Sequence, residues 1–481
     1  MEKVIFPGGS SRDSTKLGPK CVIISNDEWN LMIDCGAEFL PLKFLKDSDK
    51  YDKFLENSQN QFIAPINFEV FKGIKIDAAL ASHAHNDHIA SFPLLENRIF
   101  KNNESKIYMS PHTCDLAPIV FYNTLKLNPD FYENVYNGIG VIDSLNRRSA
   151  LPLGESVLRD KIRIFTGYAG HIPGAAHFTV ETPSGKKCLD TGDMSFADQG
   201  CLLGSEFPYD IPDEWLPEYL IGLDLTNAEQ YKDADKNSNI EMDYKNKIEE
   251  LIRLVQESLK KEKTVIIAAL QINKAQNVIV ELVNNGFIPY IDGSIDKVSK
   301  VFIKNRFWSE RLKDVSEQLT KVKKISSPDK RNELIFDKTP KVIVTTSGMG
   351  NGGPVETYLR HGLFQDNFLF IPTSYLPQES RFARLLKIIK NNNSKIRVKN
   401  EKNETELMEI KANIKQARIS SHCRLENISR AIKILVSRKG KLLEKIFLTC
   451  GNYNGKLIAA KVLAPYTKNI VFANSGAVEE L

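Results

Sequence analysis

Three of the chain's eight histidines fall within six residues, at His83, His85 and His88 of the stretch ASHAHNDHIASF, with Asp87 just before the last of them. Side chains two apart on an extended segment point to one side, so His83 and His85 face a common space. Asp87 and His88 follow on a turn expected to open a helix and to aim at that space from another direction. Imidazole suits zinc, and a carboxylate can bridge or serve a second ion. The segment therefore reads as half of a dinuclear site, not as a closed structural one. The bland alternative is a polar loop whose histidines cap a helix.

Other chemistry-bearing residues must be brought to this segment by the elements around them. Five stretches in residues 1 to about 225 share one layout, a short apolar strand running into a polar cluster. WNLMID ends at Asp34, IKIDAALAS leads to His83, KIRIFTGYAG leads to His171, KKCLDTGD ends at Asp193 and YLIGLD ends at Asp224. Strands that deliver such residues from their C-terminal ends to one edge of a sheet can build a site from distant sequence. His177 reads as structural, and His112 and His361 as ordinary polar residues.

From about 229 to 414 the texture becomes alternating helix and strand. KNKIEELIRLVQESLKKEK puts Ile248, Leu251, Ile252, Val255 and Leu259 on one helical stripe, and TVIIAAL follows as a buried strand. GFIPYIDG, the helix-like KVSKVFIKNRFWSERLKDVSEQL, then KVIVTTSG and NFLFIPTS continue the pattern, which predicts an α/β unit with a parallel sheet. In VIVTTSGMGNGGPVETYL, Ser347, Gly348, Met349, Gly350, Gly352 and Gly353 form a strand-to-helix turn whose backbone N–H groups suit a phosphate. Residues 415 to 481 return to short strands and one helix.

Composition sets the outer bounds. The 481 residues suffice for two or three domains, and 42% hydrophobic and 26% charged residues are those of an ordinary globular protein. A net charge of +5 neither requires nor excludes an anionic partner. Seven cysteines without a C-x-x-C pair argue for reduced thiols. The N-terminal stretch lacks a signal-peptide pattern and no apolar run approaches a membrane span, so the expectation is a cytoplasmic protein with no membrane partner. Arg381, Arg384, Lys387, Lys390, Lys395, Arg397 and Lys399 form a run without Asp or Glu. Such a run is usually a solvated face, though it could also track the backbone of an anionic polymer.

HAHNDH matches the H-x-H-x-D-H signature of the metallo-β-lactamase superfamily, and LMIDCG, AGHIPGAAHF and LDTGDMS follow as its later landmarks in order. The long α/β insert resembles the β-CASP domain, found in a nuclease family that includes ribonuclease J-type and pre-mRNA 3′-end endonuclease-type enzymes. TVIIAALQINKAQNVIVEL is similar to that family's strand and R-A-Q helix, with Lys274 in place of Arg and Ala268 in place of a proline. The resemblance implies an αββα sandwich, from residues 1–228 and 415–481, carrying an inserted α/β domain at 229–414. It also implies two Zn2+ ions. His83, His85 and His171 would hold one, Asp87 and His88 the other, and Asp193 would bridge them, while Asp34 keeps the ligand loop in place.

The same resemblance assigns Asp224 in LIGLDLT and His422 in ISSHCR to a pair in which His422 protonates the leaving oxygen and Asp224 orients it. Ser347, Gly348, Met349, Gly350 and Arg384 would bind substrate phosphate. Cys450 in KIFLTCGNYNG stands where the family carries a zinc-binding His or a Val, and either a ligand or a small buried thiol fits that position. Glu379 and Ser380 replace the family's Gly and Thr. The implied activity is zinc-dependent cleavage of single-stranded RNA, endo- or 5′-exonucleolytic, through a hydroxide held between two metals. A DNA nuclease of the same chemistry and a catalytically impaired binding protein are the alternatives, small-ester hydrolysis is disfavoured by the insert, and a homodimer is left open.

Overall fold

The computed structural model describes residues 1–9, 18–41, 61–66, 68–127, 136–231, 240–304, 313–391, 394–399, 405–449 and 451–481. Two seven-stranded sheets face each other. In spatial order the first runs Ala477–Glu480, Lys3–Phe6, Val22–Ser25, Asn30–Ile33, Ala78–Ala81, Ile107–Met109 and Arg148–Ala150. The second runs Ile470–Phe472, Lys445–Leu448, Tyr219–Gly222, Lys187–Asp190, Ala176–Glu181, Ile162–Tyr168 and Gly154–Leu158.

Alternation along the strands builds the layers. Leu31 and Ile33 join Ala78, Leu80, Ile164, Phe178 and Ile221 in the core between the sheets, while Met32, Ala79 and Ala81 point the other way, into a second core. Each such Leu or Ile withdrawn from water contributes roughly 2 kcal/mol. In both sheets the pairing is antiparallel at one end and parallel at the other. Parallel strands all end on the same side, so the loops after Ile33, Ala81, Asp190 and Gly222 gather at one rim of the sandwich. The five site-bearing strands thus come from both sheets, three from the second and two from the first, and not from one sheet edge.

The intervening sequence forms a third, six-stranded sheet, ordered Lys323–Lys324, Tyr290–Asp292, Lys341–Thr345, Thr264–Ala268, Phe368–Pro372 and Asn413–Ile414, with every pairing parallel. The helix Ile240–Lys260 buries Ile248, Leu251, Ile252 and Val255 of the stripe expected from its spacing, with Leu259 at its end only partly buried. The continuous helix expected over 297–319 is not formed. One helix spans Ile295–Lys304 and another Ser316–Thr320, and between them Lys313 leaves helical geometry to donate its N–H to the Cys201 carbonyl at 3.1 Å. None of the helices in the described residues is long and apolar enough to cross a membrane.

Candidate metal centre

The strand Ala78–Ala81 delivers His83 and His85, and the short helix Asn86–Ile89 follows at once with Asp87 and His88. Three segments are laced together here by backbone. The Lys20 N–H donates to the Asp87 carbonyl at 2.7 Å, the Gly36 N–H to the Lys20 carbonyl at 2.9 Å, and the Cys35 N–H to the His88 carbonyl at 2.6 Å. Gly36 is required by the close approach, since a Cβ there would lie 1.7 Å from the Asp87 carbonyl oxygen.

Hydrogen bonds set the imidazole tautomers. Asp34, at the left-handed φ of 58° that Asp tolerates, accepts from the Ser82 N–H at 2.7 Å and the Ser82 hydroxyl at 2.8 Å. With its proton committed to Asp34, Ser82 Oγ accepts from His83 Nδ1 at 3.1 Å. His88 Nδ1 donates to Asp34 Oδ2 at 2.6 Å, and His171 Nδ1 to the Ser421 carbonyl at 2.8 Å. Each of these three rings therefore turns an Nε2 lone pair toward Asp193, with Nε2 of His83, His88 and His171 at 3.8, 3.4 and 3.8 Å from Asp193 Oδ2. His85 Nδ1 sits 3.1 Å from His83 Nε2 and 3.2 Å from His171 Nε2.

Two donor groups gather at the histidine motif, with ligand atoms close enough to share an ion, beside a third formed by Asp193, Asp224 and His422. His83, His85, His171 and Asp193 make one, and Asp87, His88 and Asp193 make the other. The donor chemistry fits a metal. Burial, reinforced by neighbouring imidazoles, pushes His83 and His171 well below the ordinary histidine value, and burial takes His85 down to about 4, so all three rings are neutral lone-pair donors. Three such donors facing one another within about 3 Å are stabilised by a cation between them. Burial also works against a charge on His88, but Asp193 and Asp34 outweigh it and hold that ring well above its ordinary value. Its buried Nε2 faces Asp193 Oδ2 at 3.4 Å, so the surroundings of that atom favour positive charge.

Asp193 itself resists ionisation through burial, yet Lys20, His88 and His422 drive it well below the usual carboxylate range. Lys20 Nζ is in direct contact with Asp193 Oδ1, and both side chains are buried. Nothing in its setting, LGPKC, marks this lysine among 65 lysines and arginines, and sequence reasoning missed it.

Asp224 and His422 also meet at this site. Asp224 Oδ2 accepts from the Met194 N–H at 3.0 Å and from His422 Nδ1 at 3.1 Å, and His422 Nδ1 lies 3.6 Å from Asp193 Oδ2. Burial alone would lower His422, but Asp224 and then Asp193 raise it above the ordinary value, which favours the protonated ring. His177 stands apart, with Nε2 donating to Asp210 at 2.9 Å, and His361 packs on Phe336. Cys450 lies outside the described residues.

The turn after Lys341–Thr345 packs against the ends of neighbouring strands, where a Cβ on Gly348 would lie 2.4 Å from Ser374 Oγ. Several of its polar groups are already used. Ser347 Oγ donates to the Asn351 carbonyl at 2.8 Å, the Gly350 N–H to the Ser347 carbonyl at 3.2 Å, and the Gly352 N–H to Glu356 Oε1 at 2.9 Å, so a carboxylate stands at Gly352 where a phosphate was expected. Met349 accepts from the Phe382 N–H through its carbonyl, and Arg384 is half-buried in the helix Arg381–Lys390. Arg381, read as part of a solvated basic run, is buried and pairs with Glu356 at 3.2 Å. It covers the glycine turn, which excludes it from the solvent-facing surface.

The metallo-beta-lactamase superfamily model matches residues 15–241 and the Beta-Casp domain model residues 277–385. The chain is 27% identical over 366 residues to an RNase J-like protein of Methanocaldococcus jannaschii, covering 74% of this chain and 73% of that one. It is 23% identical over 396 residues to ribonuclease TTHA0252 of Thermus thermophilus, covering 79% and 81%. The transcription termination factor FttA of Methanosarcina mazei is 25% identical over 72% of this chain, which spans 52% of that protein. A crystal structure of a protein of unknown function from Enterococcus faecalis V583 shares the fold over the full length of both chains, with a TM-score of 0.56 at 13% identity. With the metallo-beta-lactamase model and the Beta-Casp model matched one after the other along the chain, this chain belongs to the metallo-β-lactamase superfamily and to its β-CASP branch of metal-dependent hydrolytic nucleases.

Proposed function

We propose that this protein hydrolyses phosphodiester bonds of single-stranded RNA with two zinc ions. The observation that carries the reading is that Asp193 Oδ2 is shared by two donor groups while His422 approaches it from a third direction. His83, His85, His171 and Asp193 would hold one ion, and Asp87, His88 and Asp193 the other. When bound, such a pair supplies Lewis acidity toward a phosphoryl oxygen and a nucleophile at neutral pH.

The chain's own residues do the rest. Asp34 and Ser82 keep the Nε2 lone pairs of His88 and His83 aimed inward, and the Ser421 carbonyl does so for His171. Asp224 fixes the tautomer of His422 by taking its Nδ1 proton in a hydrogen bond, so a second proton on Nε2 is available for the leaving oxygen. RNA as the substrate is supported by the relatives named RNase J-like protein and ribonuclease TTHA0252. Residues 1–228 with 415–481 would form the hydrolytic domain and 229–414 the domain that closes over substrate.

The test is incubation of metal-loaded protein with 5′-labelled single-stranded RNA and matched DNA, beside Asp87→Ala, with zinc counted per chain. Cleavage of RNA that the variant lacks is the expected result. Cleavage of DNA alone would move the assignment to DNA. Bound but uncut RNA would leave a binding protein, and no cleavage with no binding would end the nuclease reading for this chain.

A further inference from the structure

We propose that Tyr375 and Arg418 form a base-stacking subsite that seats one nucleobase of the substrate beside the His422 end of the cleft. This rests on the phosphodiesterase reading and deepens it. A lone exposed tyrosine is ordinary on a protein surface. Tyr375 differs in what holds it. It follows directly on Thr373 and Ser374, which are buried at the end of the strand Phe368–Pro372, yet its own side chain is 53% exposed. The Arg418 guanidinium stands 5.2 Å from its ring centroid, covering one face and leaving the exposed remainder of the ring to solvent.

Arg418 is in turn tied to the catalytic loop. Its Nη2 donates to Asn227 Oδ1 at 3.2 Å, and the amide nitrogen of the same Asn227 donates to the carbonyls of His422 and Cys423, each at 3.2 Å. The aromatic face is therefore positioned relative to His422 through one buried side chain. Lys274, the first residue of the helix Lys274–Asn284, adds a second cation whose charge is felt by both Arg418 and His422. A ring with one face backed by a guanidinium offers the other to a planar base, and two nearby cations suit the flanking phosphates. Stacking tolerates every base, so the ligand is a single-stranded nucleic acid without a sequence requirement at this position.

The metal-loaded protein is assayed for kcat and KM on a short labelled single-stranded RNA, and on versions carrying one abasic nucleotide at successive positions around the cut. For the wild type, one abasic position lowers kcat/KM roughly tenfold. Tyr375→Ala shows a similar loss on the intact RNA and is indifferent to that abasic position, while Tyr375→Phe behaves as wild type. Arg418→Ala, the second probe should Tyr375→Ala fold poorly, weakens the same abasic sensitivity. Abasic sensitivity in Tyr375→Ala equal to that of wild type, or none in wild type at any position, overturns the subsite and leaves the nuclease reading standing. Failure of the wild type to cut or bind any of these RNAs would remove both.

Discussion

The ammonium of Lys20 lies in direct contact with Asp193 Oδ1, on the side of the carboxylate away from the histidines that face Oδ2. One oxygen of the shared ligand is thus committed to a fixed cation of the protein. Without metal, that cation leads His88 and His422 in compensating the buried carboxylate, and removing one member of a buried pair typically costs about 3 kcal/mol. Lys20→Met should therefore lower the stability of the metal-free protein by about that amount. A divalent ion should restore most of the loss, because it supplies charge to the same carboxylate. Melting curves with and without zinc check this; an equal loss in both conditions would mean that Lys20 acts by packing alone.

Gly36 makes a sharper test of the ligand turn. A methyl group there would meet the Asp87 carbonyl oxygen at 1.7 Å, and both sides of that contact are backbone, so the turn must move. Gly36→Ala should cost at least the upper part of the roughly 1–3 kcal/mol range for overpacking and should displace Asp87 and His88 together. Metal per chain should drop by the ion those two residues hold, and elemental analysis of the purified variant reads this directly.

Proton delivery and metal retention separate at His422. If the ring acts as an acid, His422→Ala lowers kcat by roughly 10²–10⁴-fold with the metal count unchanged. Asp224→Asn, which keeps the shape but not the charge, should show a smaller fall. Single-turnover rates alongside elemental analysis decide the matter, and a lost ion in His422→Ala would make the residue a ligand, as its distance from Asp193 would permit.

Lys274 gives a pH dependence with a definite sign. Burial first, and the charge of Arg418 second, bring its ammonium down to about 8, while an unfolded lysine titrates near 10.5. Between those values the unfolded chain binds the extra proton, so Lys274 makes the protein more stable as pH rises through that window. Over the same window the cleft loses a cation, and oligonucleotide affinity should fall. Lys274→Arg should keep the charge and flatten the fall. Fluorescence anisotropy and chemical denaturation across pH 8 follow the two opposite trends.

Legibility from sequence divides along a physical line. The dense H-x-H-x-D-H stretch and the strand-ending residues Asp34, His171, Asp193 and Asp224 announce themselves because donors are costly to place beside apolar strands without a use. The parallel insert sheet was readable from its alternation of buried strands and amphipathic helices. Lys20 was not, because its role comes from where Gly36 and Asp87 let the chain pass, and spacing carries no trace of that crossing. Arg381 was misread for a related reason. A run of like charges suggests solvent, but Glu356, on the separate helix Val355–Gly362, draws this one member inward.

The hydrogen bond from His171 to the Ser421 carbonyl, and the pairing of Lys3–Phe6 with Ala477–Glu480, bind early residues to late ones. On the ribosome, His83, His85, His88 and Asp193 emerge while the whole insert is still to be made. The carbonyl that orients His171, the ring that faces Asp193 and the strand that closes the first sheet arrive only after it. A nascent chain therefore carries most of the metal donors before the residues that orient and complete the site have been made.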